Sequence, residues 1–283
     1  MKTIRLKDNR EIPRLGMGSW FIGDSIATRE GEIEALRYGI ERGMTVIDTA
    51  EMYGGGRSEL LVGEAIEPFA REDLYLISKV LPNNAGRRDI FSSCDRSLER
   101  LKTEYLDCYL LHWRGEVPLE ETIECMIELQ DRGKIASFGV SNFDTDDMQE
   151  LFSIEGGNQA VMNQVLYHLG SRGVEYSLLP WLKQNNTAMM AYCPLAQGGS
   201  LRARLLTSEA VRFVAQQKGV DPFQILLAFA IHDSNVIAIP KASSIHHVEA
   251  NFNALSIELT DRDMEMLSED FTPPLTKQPL DIQ

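Results

Sequence analysis

The sequence predicts an α/β fold in which parallel strands close into a (β/α)₈ barrel, also called a TIM barrel. Apolar, β-rich runs recur along the 283 residues, and most begin 24–32 residues apart, close to the length of one β-α repeat. Helical patterns separate these runs, and sustained alternation of strand and helix is typical of parallel α/β folds. Because no change of composition marks a linker, we expect residues 1–283 to form a single barrel domain.

Eight segments are expected to supply the barrel strands. They are nearly continuous apolar stretches rather than alternating ones, as strands buried on both faces of a parallel sheet usually are. In chain order they are 15–20, 45–50, 74–80, 106–113, 136–143, 160–165, 188–195 and 236–242.

Helices are predicted in several of the segments between these strands. Thr28 and Asp221 precede helical patterns and are suitable N-cap residues, and Gly43 is a suitable C-terminal stop. Pro222 and Gln224 after Asp221 complete a variant of the capping box. The predicted helices cover 28–43, 87–102, 119–134 and 221–233, and a further one opens at 260–263, where Thr260 begins another capping variant.

Both ends of the chain are expected to lie outside the β-α repeat. Residues 2–13 contain a turn at Asp8 and Asn9, which predicts a β-hairpin that plugs the bottom of the barrel. Residues 271–283 hold three prolines, so this C-terminal tail is expected to be irregular.

Composition excludes several classes of partner. The formal net charge of −14 disfavours nucleic acid and anionic membranes. No apolar run approaches the ~18–20 residues of a membrane span, and the N-terminus lacks the apolar core of a signal peptide. We therefore expect a cytoplasmic protein. We also expect a monomer, because a closed barrel has no strand edge to pair.

The four cysteines are widely spaced, which predicts reduced thiols and no metal site. They are Cys94, Cys108, Cys125 and Cys193.

Three consecutive predicted strands end in ionisable residues, namely Asp48, Lys79 and His112, and Tyr53 follows Asp48 by five residues. Singly, Asp48 could cap a helix, Lys79 could reach the surface and His112 could be a core histidine. Catalytic groups of barrels lie at the C-terminal strand ends, and adjacent strands are only about 5 Å apart. We therefore expect the three groups to converge at equivalent depth and Asp48 to pair with Lys79, an arrangement that tunes pKa values.

Asp48, Tyr53, Lys79 and His112 stand in the contexts VIDTAEMY, ISKV and LLHW, and the set resembles the catalytic tetrad of the aldo-keto reductases. The resemblance covers essentially the whole chain and is greatest to the YeaE-like bacterial group, described as methylglyoxal and small-aldehyde reductases. No G-x-G-x-x-G is present, and the family binds its dinucleotide without a Rossmann fold. The other matching motifs, in order, are LGMGSW, GVSNF, NQVLYH, AYCPLAQG and AIPKAS.

The resemblance implies an oxidoreductase that reduces aldehydes and ketones, such as methylglyoxal and other small 2-oxoaldehydes, to alcohols. NADPH would give the hydride and Tyr53 the proton. Lys79, kept protonated by Asp48, would lower the pKa of Tyr53, because a cation within about 4–6 Å stabilises tyrosinate. His112 would be neutral and would hydrogen-bond the substrate oxygen.

The resemblance also implies where the nicotinamide of NADPH/NADP⁺ binds. Ser141, Asn142 and Gln164 would hydrogen-bond its carboxamide, although such residues are also ordinary at turns. Tyr192 would stack on the nicotinamide ring; its ordinary alternative is a core tyrosine. Further cofactor contacts are expected at Pro194, Leu195, Ala242, Ser243 and His247.

Lys241 would face the 2′-phosphate that distinguishes NADPH from NADH, and Asn251, on the helix that follows, would meet the adenine. The chain departs from the family here, because many relatives carry an arginine a few residues after this lysine. His246 and His247 stand in that region instead. Arginine clamps a phosphate with two hydrogen bonds and is always charged, whereas histidine is not.

Aromatic residues are expected to form the substrate mouth. Trp20, Met52 and Trp113 would line it, since aromatic walls suit a small carbonyl compound. Trp181 lies in a helical pattern and is expected in the core. The segment after His112 is short, which predicts an open pocket and broad aldehyde use.

Three other functions are compatible with parts of this pattern. Some aldo-keto-like proteins are nucleotide-sensing regulatory subunits, but those carry extensions or a damaged tetrad. A lyase or isomerase could use Lys79 as a Schiff base, which requires an unpaired lysine. Alcohol oxidation with NADP⁺ would use the same residues as reduction.

Overall fold

The chain forms a two-stranded sheet and an eight-stranded sheet in a computed structural model that describes residues 2–282. The larger sheet is parallel throughout, and its strands follow one another in chain order. The strands are β1 Thr3–Arg5, β2 Glu11–Pro13, β3 Met17–Gly18, β4 Val46–Asp48, β5 Tyr75–Val80, β6 Leu106–Leu111, β7 Ile135–Ser141, β8 Met162–Leu166, β9 Ala188–Tyr192 and β10 Val236–Ala238.

The first and last strands of the parallel sheet meet and close the barrel. Parallel bridges join Leu15 to Ala238 and Gly18 to Lys241. The Gly16 N–H donates to the Ala238 carbonyl at 2.9 Å. The predicted (β/α)₈ barrel is thus confirmed, although the regular strands are shorter than the apolar runs that predicted them.

Eleven α-helices are found within residues 2–282, and most of them surround the barrel. None is long and apolar enough to cross a membrane. They are α1 Arg29–Glu41, α2 Arg57–Ile66, α3 Ile90–Leu101, α4 Leu119–Asp131, α5 Thr145–Ser153, α6 Leu178–Gln184, α7 Gly199–Thr207, α8 Glu209–Lys218, α9 Pro222–Ala230, α10 Ile245–Asn253 and α11 Asp261–Asp270.

The predicted helix caps are confirmed in two of three cases. Asp221 opens α9 with Gln224 in a reciprocal capping box, and Thr260 opens α11 in the same way. Thr28 stands at the N-cap of α1, but its side chain does not cap the backbone. Its hydroxyl instead bonds to the Ser25 carbonyl and the Glu32 carboxylate. Helices α2, α5, α7 and α8 were not predicted. α2 and α7 begin next to glycines, whose low helix propensity makes a helical pattern hard to recognise in the sequence.

The N-terminal hairpin lies at the bottom of the barrel, as predicted. β1 and β2 pair antiparallel with Ile4 opposite Ile12. Leu6 and Ile12 are buried in the apolar cluster that fills the barrel interior. Arg10 forms an ion pair with the buried Asp107 near the start of β6, which anchors the hairpin to the barrel.

The C-terminal tail has no helix or strand between residues 271 and 282, as its prolines predict. Polar contacts hold it against α5 and against the loop after β8. Lys277 bonds to Asp146 at 2.9 Å, and Ser171 donates to Asp281 at 2.5 Å.

Closure of the barrel depends on Gly18, which supplies a test. A Cβ atom there would lie 2.8 Å from the Ile239 carbonyl oxygen across the seam, whereas a Cβ at the helical Gly31 would meet nothing within 4 Å. We expect Gly18→Ala to lower the free energy of unfolding by about 1–3 kcal/mol. The control Gly31→Ala should raise it by about 0.5–1 kcal/mol. Urea unfolding measures both, and equal effects of the two substitutions would contradict a tight seam.

Candidate active site

A cavity of about 380 Å³ opens at the C-terminal ends of the barrel strands. Its wall contains most of the residues that the sequence predicted for a site. The barrel strands, the loops after them and the first turn of α10 supply Trp20, Asp48, Met52, Tyr53, His112, Trp113, Ser141, Asn142, Gln164, Tyr192, Pro194, Leu195, Lys241, Ser243 and His247.

The strand register determines how Asp48, Lys79 and His112 meet. Asp48 is paired with Ile77, so Lys79 lies two residues further along β5; Lys79 is paired with Leu110, so His112 lies two residues beyond it. The groups are therefore staggered and do not lie at the equal depth expected from the sequence. A stagger of two residues matches the side-chain period of a strand, so all three face the same side of the sheet.

Lys79 is fully buried beneath the cavity, and its ammonium is the centre of a hydrogen-bond cluster. Nζ donates to Asp48 Oδ2 at 2.8 Å and to the Thr49 carbonyl at 2.8 Å. It also donates to Tyr53 Oη at 3.2 Å. All three hydrogens of the ammonium therefore have acceptors, and one of those acceptors is the phenol oxygen that faces the cavity.

The loop after β4 brings Tyr53 over this ammonium. Gly54, Gly55 and Gly56 follow it with φ values of 57°, 64° and 92°, a region in which glycine is favoured, and α2 begins directly afterwards. Glu51 ties the loop to the segment after β5, since its Oε1 accepts from the Leu81 N–H at 2.8 Å. The Tyr53 loop and the Lys79 strand are thus held to each other.

The pKa of Tyr53 differs from the sequence-based prediction. Burial of the phenol raises its pKa well above the ordinary value, and the neighbouring Asp48 carboxylate raises it further. The lowered pKa predicted from a nearby ammonium is therefore wrong in direction. Desolvation is the largest cause of the rise, so Tyr53 holds its proton firmly at neutral pH.

Burial also acts on the ion pair below the phenol. It lowers the pKa of Lys79 and raises that of Asp48, while their contact at 2.8 Å opposes both changes. Gln164 adds a second bond to the carboxylate, because its Nε2 donates to Asp48 Oδ1 at 2.6 Å. Both oxygens of the Asp48 carboxylate therefore have donors, which favours its charged form.

His112 follows β6 and is only 7 % exposed. Burial, and then the charge of Lys79, lower its pKa to about 3, so the imidazole is neutral at physiological pH. Its Nδ1 has no hydrogen-bond partner among the described residues. The ring meets Tyr53 edge-on, with 5.8 Å between centroids. A neutral imidazole beside a protonated phenol can hold a carbonyl oxygen between two polar groups.

Polar side chains at the ends of β7 to β9 form a connected group. Asn142 has a φ of 59°, and its Nδ2 donates to the His112 carbonyl at 3.1 Å. Its Oδ1 accepts from the Tyr192 hydroxyl at 2.8 Å. The Ser141 hydroxyl donates to the Gln164 carbonyl at 2.9 Å. The amide of Gln164 is engaged by Asp48 rather than left free in the cavity.

Three of the predicted site residues are not in the cavity wall. Lys79 lies beneath it, as described above. Ala242 and Asn251 are buried at 6 % and 7 % exposure, and Asn251 lies on α10. Lys241 is in the wall, on the segment after β10 that pairs with Gly18 at the barrel seam.

The expected substrate residues lie around the side chains of Tyr53 and His112. Trp20 stacks near Tyr53 with 6.4 Å between centroids, and Trp113 lies 4.7 Å from the His112 ring. Met52 is 39 % exposed in the same wall. Trp181 packs edge-on against Phe152 on α5, outside the cavity wall.

Sequence reasoning missed several residues that line the cavity. Arg202 on α7 is the one that carries charge. It could have been noticed as a basic residue shortly after the AYCPLAQG motif, but α7 itself was not predicted. The others are Gly18, Phe21, Cys193, Ala196, Gln197, Ile239 and Pro240.

Comparison with known proteins gives consistent similarities. The model of the Aldo/keto reductase family matches residues 14–269. Methylglyoxal reductase YeaE of Escherichia coli is 47% identical over 281 residues, 99% of each chain. An aldo/keto reductase from Klebsiella pneumoniae, crystallised with NADP and acetate, is 48% identical. It superimposes with a TM-score of 0.97 over 100% of this chain and 99% of its own. A second crystal structure, of an aldo-keto reductase from Klebsiella pneumoniae in complex with NADPH, has the same identity, TM-score and coverage.

The low pKa of His112 predicts a pH dependence of stability. An unfolded histidine has a pKa near 6.5, so between about pH 6.5 and pH 3 the unfolded chain binds a proton that the folded chain does not. The free energy of unfolding should therefore fall as pH falls through this range, by up to about 1.4 kcal/mol per pH unit from this group. We expect His112→Asn to show a shallower slope between pH 6.5 and pH 4 in urea unfolding.

The exposed His232 provides the matched control, as His232→Asn tests whether removal of any histidine has the same effect. Parallel slopes for the wild type and His112→Asn would contradict a neutral, buried His112.

Proposed function

This chain belongs to the aldo/keto reductase family, and we propose that it reduces methylglyoxal and other small 2-oxoaldehydes to the corresponding alcohols. It is an NADPH-dependent oxidoreductase that acts on carbonyl compounds. The observation that carries the proposal is the contact of 3.2 Å between Lys79 Nζ and Tyr53 Oη at a cavity that His112 also borders.

The residues of the cavity fit NADPH. Amide and hydroxyl groups for a carboxamide come from Ser141 and Asn142, and Tyr192 offers an aromatic face. The cationic Lys241 stands in the same wall. Nδ1 of His112 is buried and lacks a described partner, as a group reserved for a ligand would be. When bound, NADPH supplies a hydride to the carbonyl carbon.

Tyr53 is the proposed proton donor to the carbonyl oxygen. Its raised pKa keeps the phenol protonated until the oxygen becomes strongly basic, as an alkoxide is. After the proton leaves, the phenolate lies 3.2 Å from the Lys79 ammonium, which stabilises the new negative charge. Lys79 thus acts on the product of proton transfer more than on the resting phenol.

Asp48 and His112 complete the proposed catalytic group. Asp48 holds Lys79 in its ionised form and in position, through the bond of 2.8 Å. His112 is neutral and orients the substrate oxygen next to Tyr53 by a hydrogen bond. Fixed orientation of this kind can lower a barrier by several kcal/mol.

A Schiff-base function for Lys79 is disfavoured by the same contacts. The nitrogen is fully buried and donates to Asp48, Thr49 and Tyr53, so it has neither an accessible lone pair nor room for a carbonyl carbon.

The remaining cofactor contacts are proposed from the family resemblance. Ser141, Asn142 and Gln164 bind the nicotinamide carboxamide and Tyr192 stacks on its ring. For Gln164, this role requires its amide to exchange its bond with Asp48 for one with the cofactor. Further contacts are assigned to Pro194, Leu195, Lys241, Ala242, Ser243, His247 and Asn251.

Trp20, Met52 and Trp113 are the proposed substrate contacts. Their apolar surfaces form a wall beside Tyr53 and His112, which suits the short carbon chain of a 2-oxoaldehyde.

We further propose a monomeric, cytoplasmic enzyme. The barrel seam leaves no open edge in the eight-stranded parallel sheet, and the thiols of Cys94, Cys108, Cys125 and Cys193 are free.

The direct test follows loss of NADPH absorbance with methylglyoxal as substrate. The wild type should turn over, and Tyr53→Phe should lose at least about a hundredfold in kcat, because general acid catalysis of this kind is worth about 10²–10⁴. NADPH affinity should be unchanged in that variant. Tyr176→Phe, at a tyrosine that is 49 % exposed and outside the cavity wall, is the matched control. Full activity of Tyr53→Phe would exclude the proposed proton donor.

Cofactor selectivity is tested at Lys241. We expect Lys241→Met to raise KM for NADPH by about tenfold or more, since a charge-assisted hydrogen bond to the 2′-phosphate is lost. KM for NADH, which lacks that phosphate, should change little. Lys183→Met removes a lysine paired with Asp233 elsewhere and controls for the change of net charge. Equal changes for both cofactors would show that Lys241 does not bind the 2′-phosphate.

A further inference from the structure

Glu59 is a buried carboxylate that the proposed catalytic group does not use. It lies in the first turn of α2, shortly after the Tyr53 loop, and its side chain is 0% exposed. Oε1 accepts from the Ser78 hydroxyl at 2.6 Å, and Oε2 accepts from Arg100 Nε at 2.5 Å. Apolar side chains of similar volume often stabilise a fold as well as a buried ion pair does, which favours a functional reason for this one.

The bond to Ser78 attaches α2 to the strand that carries Lys79. Successive side chains of a strand face opposite sides of the sheet. Ile77 on β5 belongs to the apolar cluster of the barrel interior, and Val80 belongs to the cluster shared with the surrounding helices. Lys79 therefore faces the interior, while Ser78 faces the helices, where its hydroxyl reaches Glu59.

Arg100 on α3 attaches the same carboxylate to the end of the Tyr53 loop. A Cβ atom at Gly56, the last glycine of that loop, would lie 2.7 Å from Cδ of Arg100 and 2.8 Å from its Nε. A Cβ atom at Gly63 on α2 would lie 2.5 Å from the Arg100 carbonyl oxygen, so α3 is equally close to the helix itself. Arg100 thus packs against the loop end and binds Glu59 with the same guanidinium.

We propose that Glu59 is a positioning residue of the reductase, which joins the Tyr53 loop to the Lys79 strand and adds a negative charge on the helix side of that strand. The contact of 3.2 Å between Lys79 Nζ and Tyr53 Oη spans two elements, β5 and the loop before α2. Glu59 is bonded to β5 through Ser78 and is itself part of α2. The assignment rests on the proposed function, in which Tyr53 donates the proton.

The charge of Glu59 also acts on the Lys79 ammonium. Titratable groups around the ammonium come from several elements: Asp48 on β4, Tyr53 in the loop after it, Glu59 on α2, Cys108 on β6 and His112 after β6. Burial lowers the pKa of Lys79; the Asp48 carboxylate opposes this most, and the Glu59 charge adds to its effect. Cys108 and His112 are neutral at physiological pH, because burial raises the pKa of the thiol to about 12 and lowers that of the imidazole to about 3.

The rate of a single turnover tests the positioning, because slow product release does not mask it. Enzyme loaded with NADPH is mixed with methylglyoxal, and the loss of nicotinamide absorbance is followed. We expect this rate to fall about three- to tenfold in Ser78→Ala, which lacks the bond to the strand, and about tenfold or more in Glu59→Gln. Kd for NADPH should be unchanged, since neither residue lines the cavity.

A residue that only supports the fold would give a different result. Unchanged single-turnover rates in the two folded variants, with only the free energy of unfolding lowered, would overturn the proposal. Ser78→Ala deletes a single hydroxyl and decides the matter alone if Glu59→Gln does not fold.

The pH dependence of the same rate tests the charge. At high pH the rate should fall as the contact between Lys79 and Tyr53 loses a proton. Glu59→Gln removes a negative charge and leaves the Arg100 charge uncompensated, and both changes ease that loss. Its alkaline limb should therefore lie lower by about half a pH unit or more. Ser78→Ala keeps the carboxylate and should leave the limb in place; a limb unmoved in Glu59→Gln would refute an effect of its charge on Lys79.

Glu64→Gln is the matched control, because it removes an ion pair from the same helix. Glu64 bonds to Arg29 and is 38% exposed, and the rate and alkaline limb of this variant should equal those of the wild type. Failure of the proposed function would appear as a wild type without turnover or as a fully active Tyr53→Phe. Failure of the role of Glu59 would instead appear as wild-type rates in its variants while Tyr53→Phe stays impaired.

Discussion

The buried contact between Lys79 and Asp48 is the interaction on which the rest of the site depends. An ammonium with no exposed surface is stable only if all its hydrogens have acceptors, and here Asp48, the Thr49 carbonyl and Tyr53 supply them. The same bonds fix the position of the phenol oxygen. A charged pair that adds little to stability can thus determine where proton transfer takes place.

Burial and the Lys79 charge have opposite effects on the stability of the Tyr53 phenolate, and together they determine when the phenol gives up its proton. Burial raises the pKa of Tyr53, so the resting phenol is a weak acid. The ammonium stabilises the phenolate only when charge develops, and an interaction that strengthens towards the transition state is the kind that accelerates a reaction. Burial keeps His112 neutral in the same cavity, so it can bind a carbonyl oxygen without competing as an acid.

Barrel closure brings these groups and the cofactor-binding segments to one cavity. The seam between β3 and β10 places Gly18 beside Lys241, while the register of β4 to β6 staggers the catalytic side chains by two residues per strand. A shift of one residue would turn a side chain to the other face of the sheet. The small size of Gly18 at the seam and the position of Tyr53 over Lys79 are therefore two consequences of the same closed sheet.

The sequence alone determined which chemistry is possible. Apolar runs at β-α spacing predicted the eight strands, because burial on both faces leaves a clear compositional pattern. The ends of those runs identified Asp48, Lys79 and His112, since the carboxyl ends of parallel strands meet at one edge. Helices next to glycines, such as α7, left no clear pattern, and Arg202 was missed with α7.

The tertiary structure alone decided how these groups behave. Coordinates were required for the direction of the Tyr53 pKa and for the bond from Gln164 to Asp48. They were also required for the bonds from Arg202 to the loop after β9 and for the positions of Ala242 and Asn251 outside the cavity wall. The physical reason is that desolvation and hydrogen-bond choice depend on distances between residues far apart in the chain. Residue spacing in one strand does not set those distances, whereas closure of the barrel does.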